Sequence, residues 1–154
     1  MAYAPFYERF PDIAENETRS LFIKGDPELP DDQYVFIEAY CDEENCDCRR
    51  VFFNVFSVKT KKILAVITYG WENRDYYIKW MGDNDPNVID SLVGLGLNLS
   101  SPQSKFARAL LKKIELVIKN DADFVKRIRK HYKLFRAEID KQYKSTNGFK
   151  THRG

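Results

Sequence analysis

No stretch of the chain approaches the roughly 18 consecutive apolar residues that a membrane-spanning helix needs. Histidine is limited to 2 residues and cysteine to 3. An odd number of cysteines does not close a disulfide framework. The opening residues, MAYAPFYERFPDIAENE, carry acids early and lack a basic-then-apolar signal layout, so the expected compartment is the cytoplasm, where thiols stay reduced. GxGxxG, P-loop, GxSxG, HExxH and EF-hand patterns are missing as well. Gly94 with Gly96 is too little to cradle a phosphate, and turn chemistry accounts for Asp83 and Asp85 in GDNDPN. These absences remove the common nucleotide-hydrolysing, serine-hydrolase and zinc-protease signatures.

What is present suits a packed globular chain. Hydrophobic residues make up 44% and aromatics 14% of 154 residues, too many for a disordered segment and enough for a core without staples. The pattern predicts an α+β fold: an antiparallel meander of three to four strands over about 19–70, packed against C-terminal helices. In YVFIEAYC, Val35, Ile37, Ala39 and Cys41 alternate with Tyr34, Phe36, Glu38 and Tyr40. RRVFFNVFSV at 49–58 is apolar on both faces, as a strand covered on both sides would be, and ILAVITYG follows at 63–70. Upstream, RSLFIK at 19–24 is a weaker strand, and the first eighteen residues are expected to be a short helix or an arm. WENRDYYIKWM reads as a short helix, GDNDPNVID as a turn and SLVGLGLNLSS as an apolar loop. Ser101 with Pro102 marks the start of a helix to about residue 119. Asn120 or Asp121 caps another through about 143. A single domain over 1–144 with a flexible tail over 145–154 is expected.

The chemically pointed feature is the loop DEENCDC between Cys41 and Arg49. Cys46 and Cys48 are two apart, so in an extended loop they share a face, and Cys41 sits across the hairpin. Three thiols converging there suit tetrahedral zinc, with Zn–S distances of about 2.3 Å. The spacing C-x4-C-x-C is not a pair of C-x2-C knuckles, and two other readings stand beside zinc: buried unliganded thiols, or an oxidisable pair at Cys46 and Cys48. Asp42, Glu43, Glu44 and Asp47 crowd the loop; they raise thiol pKa values, which favours a metal over a bare nucleophile, while Arg49 and Arg50 act oppositely. For a fourth ligand, His131 falls near 340° on a helical wheel begun at Phe124, at the edge of the apolar stripe of Phe124, Val125, Ile128, Tyr132, Phe135 and Ile139. It is the leading candidate, ahead of Asp47; the alternative is a hydrogen-bonded boundary histidine. A closed shell would be structural, and a water in the fourth place would leave catalysis open.

Charge is unevenly spread. Residues 1–104 hold 10 Lys and Arg against 18 Asp and Glu, whereas 105–154 hold 15 against 5. The two halves could simply face one another, or the basic half could meet an external partner, nucleic acid or an acidic protein surface. The wheel gathers Lys126, Arg127, Arg129, Lys130, Lys133 and Arg136 opposite the apolar stripe. Such a stripe fits a phosphate backbone or a plain solvated face, and no RRM or helix-turn-helix signature accompanies it.

The stretch YCDEENCDCRRVFFNV at 40–55, with YGWE at 69–72 and HYKLFR at 131–136, resembles a family of uncharacterised prokaryotic proteins with a cysteine-rich strand hairpin. Some members carry a further SEC-C type zinc motif, whose cysteines this chain lacks. The resemblance covers roughly residues 20–140 and implies no assigned activity; the HYKLFR counterpart supports His131 as a ligand. The resulting expectation is a small zinc-stabilised binding module, with two alternatives: a nucleic-acid-binding accessory protein using the basic helix face, or a metal-dependent hydrolase with an open zinc site.

Overall fold

The computed structural model describes residues 3–153, with side chains described over 3–145. His152 and most of the expected tail therefore lie outside the described side chains, although the backbone of the last helix continues through Arg153.

Strand propensity and alternation build the expected meander. β3 (Asp32–Cys41), β4 (Arg50–Ser57) and β5 (Lys62–Gly70) pair antiparallel in chain order. β1 (Tyr3–Pro5) and β2 (Ser20–Ile23) both pair with the outer edge of β3, β1 beside Ala39–Cys41 and β2 beside Asp32–Val35. Two short helices, α1 (Phe6–Arg9) and α2 (Pro11–Glu17), fill the interval between those strands. On the opposite edge β6 (Gly94–Leu97) pairs with β5, reached through α3 (Arg74–Met81) and α4 (Pro86–Leu92).

Tyr34, Phe36, Glu38 and Tyr40 of β3 point to the same side as Val51, Phe53 and Val55 of β4, and all are buried. Against them pack α5 (Ala107–Asn120), through Leu110 and Ile114, and α6 (Ala122–Arg153), through Phe124, Ile128, Phe135 and Ile139. The Phe53 and Phe124 rings stack at 6.0 Å. The opposite face is less covered than β4's sequence implies: Phe52, Asn54 and Phe56 are only half-buried. β4 is thus central in the sheet but sealed by helices on one side.

The largest departure lies between 98 and 106. Instead of starting at Pro102, helix α5 starts at Ala107, because Gln103 is used as a piece of strand. Its side chain accepts from Val66 N and donates to Val66 O, at 3.0 and 2.9 Å, while Ser104 N bonds Leu64 O. The free edge of β5 thereby finds partners that a helix there would have withheld. Asp121 does cap α6, accepting from Phe124 N at 3.1 Å.

One polar bridge crosses this core and sets where α6 lies. His131 is 1% exposed, with Nδ1 2.7 Å from Glu38 Oε1 on β3 and Nε2 2.9 Å from Glu17 Oε1 at the end of α2. Its ring stacks on Phe6 at 4.4 Å, and the Tyr40 hydroxyl lies 2.5 Å from the same Glu38 oxygen. Burial acts against the imidazolium, but hydrogen bonds and charge from Glu38 and Glu17 outweigh it, so the His131 pKa is raised. The hydrogen bond from His131 lowers that of Glu17.

Replacing His131 by Leu leaves the Glu38 carboxylate buried without its partner and is expected to cost about 3–5 kcal/mol in denaturant unfolding. The sign of the pH dependence follows from the two shifts. The imidazolium contribution is complete below the ordinary imidazole range and is lost as pH rises through the raised folded value. The Glu17 contribution is present above its ordinary value and is lost as pH falls through the lowered one. The stability difference between wild type and His131→Leu should therefore be greatest in mildly acidic solution and shrink on the alkaline side.

Candidate metal centre

β3 ends at Cys41 and β4 begins at Arg50, and the loop between them is folded back rather than extended. Asn45 and Arg49 take left-handed backbone conformations, φ 59° and 50°, and Cys46 N bonds Glu43 O at 3.4 Å. Non-glycine residues hold such angles only where surroundings enforce them. At Arg49 the enforcement is visible: its N–H donates to the Tyr132 hydroxyl at 3.2 Å, and its carbonyl accepts from the Tyr77 hydroxyl at 2.9 Å. The first half of the loop is clamped from α6, where Arg136 donates to Cys41 O and to Glu43 O, both at 2.8 Å. Asp47, between the last two cysteines, accepts from Tyr132 Oη at 2.7 Å, and its carbonyl accepts from Tyr76.

So held, the three Sγ atoms lie within 4.8 Å of one another. On a tetrahedral ion with Zn–S bonds of about 2.3 Å, neighbouring sulfurs stand about 3.8 Å apart, a spacing the cluster reaches by closing no more than about 1 Å. Cys41 and Cys48 are fully buried, Cys46 half-buried, and all three are free thiols. The backbone N–H groups of Glu43 and Cys48 act to lower the pKa of the Cys41 and Cys46 thiols, respectively. Such donors support thiolate once a cation is present. The Cys41 thiol is raised by its hydrogen bond with Cys46 and by burial, and Cys48 by its hydrogen bond with Cys41 and by burial. At Cys46 the hydrogen bond with Cys41 acts downward, but the bond with Cys48, burial and the neighbouring thiol push it up to about 11. Thiols raised in this way are poor bare nucleophiles, which weighs against an oxidisable pair.

A further polar group faces the cluster. Tyr3, brought in when β1 pairs with the end of β3 (Tyr3 opposite Cys41), places its hydroxyl 3.8 Å from Cys48 Sγ. Arg50 Nη1 donates to that hydroxyl at 3.4 Å; its guanidinium is buried, with Nη2 on Ser91 O and Nε without a partner among the described residues. Two buried guanidiniums therefore border the cysteine loop, Arg136 on its carbonyls and Arg50 on the Tyr3 hydroxyl.

Of the expected ligand set, the three cysteines lie close enough together to hold a metal ion, and His131 does not join them. That residue is inward-facing, as the wheel requires, but both ring nitrogens are taken by Glu38 and Glu17 and it stands outside the thiol group. Asp47, the second choice, spends its carboxylate on Tyr132 and Arg49. The basic stripe divides. Arg136 is 8% exposed and serves the cysteine loop, and Arg127 is half-buried with Nη1 on Glu17 O. Lys126, Arg129, Lys130 and Lys133 are exposed on the solvent side. Tyr3, Arg50 and Tyr132 stand outside the expected ligand set. A three-residue strand ending in proline carries no periodicity to announce Tyr3, and Tyr132 looks like one more apolar position on its helix.

Arg136→Lys should not restore the clamp, since one ammonium does not reproduce two diverging N–H groups on two carbonyls. Its expected signature is faster modification of Cys46 by a thiol reagent and a loss of about 1.5–3 kcal/mol for each charged hydrogen bond given up. Unchanged reactivity in the folded variant would show that the clamp does not order the loop.

Compared with protein-family models, with curated proteins and with solved structures, the chain matches none.

Proposed function

We propose that Cys41, Cys46 and Cys48 hold one zinc ion, and that the chain is a zinc-stabilised binding module working in the reducing cytoplasm. The observation that carries this reading is the gathering of all three sulfurs within 4.8 Å at a loop pinned by α6. Sulfur donors favour zinc over hard cations, and a thiolate-rich shell with no oxygen cage is unsuited to calcium or magnesium. Three thiolates around a divalent cation carry a net negative charge, which the buried Arg50 and Arg136 guanidiniums balance. The Tyr3 hydroxyl, 3.8 Å from Cys48 Sγ, is a candidate to complete the shell, by its own oxygen or through a water.

Two features favour a structural ion over a catalytic one. Cys41 and Cys48 are inaccessible to solvent, so approach to a metal is restricted to the Cys46 side. The ion would also join the β3–β4 hairpin where α6 already grips it, so its binding energy adds to folding energy. No helix among the described residues is long and apolar enough to cross a membrane.

Purified protein should contain one zinc per chain by elemental analysis, and Cys46→Ser should lower that content sharply. Chelation should lower the unfolding midpoint by roughly 10 °C or more and broaden the transition. Protein that is free of metal, and whose melting is unchanged by chelator and by Cys46→Ser, would contradict the reading.

A further inference from the structure

Beside the metal loop, a cleft of about 290 Å³ opens between α6 and the connection from β5 to α3. Its two walls differ in how their charges are used. On the loop side Arg49 pairs with Asp47 at 3.1 Å and with Glu72 at 3.4 Å, so these groups largely satisfy one another. On the helix side stand Arg129 and Lys133, both exposed and neither in an ion pair or hydrogen bond among the described residues. Trp71 lines the same cleft, half-buried, steadied by the edge of the Tyr132 ring at 5.1 Å and by Tyr69 at 6.3 Å. Its indole N–H has no acceptor among the described residues. An aromatic plane and two unused cations in one lining, with a Glu72 carboxylate oxygen beside them, is the chemistry that a base joined to a phosphate requires.

We propose that this cleft binds a nucleoside phosphate, either a free nucleotide or one unit of a single strand, with the base on Trp71 and the phosphate between Arg129 and Lys133. The volume is at the small end of ligand pockets and admits one such unit. Bases stack on aromatic side chains irrespective of sequence, and Glu72, which meets Arg49 through Oε1 alone, keeps an oxygen to accept from an exocyclic amino group. Lys130 and Lys126, exposed about one and two turns before Lys133, continue the cationic row for about 10 Å along the helix. That row gives a neighbouring phosphate of a strand a place to lie. An acidic peptide would use the cations but leave Trp71 idle. The site borders the metal loop through Asp47 and Arg49 but uses no sulfur, so it goes beyond the zinc reading and does not depend on it.

The test uses the full chain carrying Trp80→Phe, which leaves Trp71 as its sole tryptophan. AMP and a short single-stranded oligonucleotide of mixed sequence are titrated against its emission, with zinc content measured on the same samples. The expected result is quenching of Trp71, with affinity for the strand falling as salt rises at a log–log slope of about −0.7 per phosphate neutralised. Arg129→Glu with Lys133→Glu should weaken binding at least about tenfold, and Trp71→Leu, followed by anisotropy of labelled strand, by roughly ten- to a hundredfold. Lys59→Glu with Lys62→Glu, the same charge change at the far β4–β5 turn, should alter it by less than about threefold. Each variant is first shown to melt cooperatively. Quenching by AMP identifies the free nucleotide as sufficient, and quenching by the strand alone identifies the strand. No quenching by either, equal weakening by the control pair, or equal competition by phosphotyrosine would overturn the proposal. Zinc-loaded protein that fails to bind sinks this site alone, and zinc-free protein that binds leaves it standing.

Discussion

The turn from β3 into β4 is shaped by groups reaching out of α6, and the rest of the candidate site follows from that grip. Arg136 holds the carbonyls of Cys41 and Glu43, and Tyr132 holds both Asp47 and the N–H of Arg49. Without those contacts an acidic seven-residue loop has no reason to curl inward, since its carboxylates repel one another and its backbone is better solvated when open. α6 is in turn fixed by His131 lying between Glu38 of the sheet and Glu17 of α2. The order of dependence thus runs from a buried imidazole to the placement of a helix, from the helix to a loop, and from the loop to three sulfurs at one point.

Much of this was legible in the chain. Period-two alternation located β3, β4 and β5, and hairpin geometry brought Cys41 toward Cys46 and Cys48, because those signals are local and the loop is short. What escaped was tertiary in origin. β6 is hidden in a glycine-rich GLGL and exists because β5 offers it an edge. The Ser101–Pro102 start signal was overridden where Gln103 was needed to satisfy Val66. His131 was correctly turned inward, but a wheel gives direction and not height along the axis, nor what already waits there. Arg136 sat at the boundary between the two faces of the same wheel, and the free carbonyls of the loop drew it in. Tyr3 reaches the thiols from 38 residues before Cys41, through strand pairing that no spacing rule foretells.

The division of charge along the chain is resolved partly inside the molecule. Lys113 pairs with Asp26, Lys112 with Glu28, Asp121 with Arg19, and His131 with two acids of the first half. Apart from the buried His131 pairs, such surface pairs contribute little to stability. They matter because they identify which cations are already used. Lys126, Arg129, Lys130 and Lys133 make no such pair among the described residues, and Arg129 and Lys133 line the cleft together with Trp71.

The most direct measurement of the central claim is X-ray absorption at the zinc edge on protein purified without added metal. The account predicts three sulfur neighbours at about 2.3 Å and one lighter atom at about 2.0–2.2 Å. A shell of nitrogen and oxygen alone, or protein with no zinc to absorb, would contradict it.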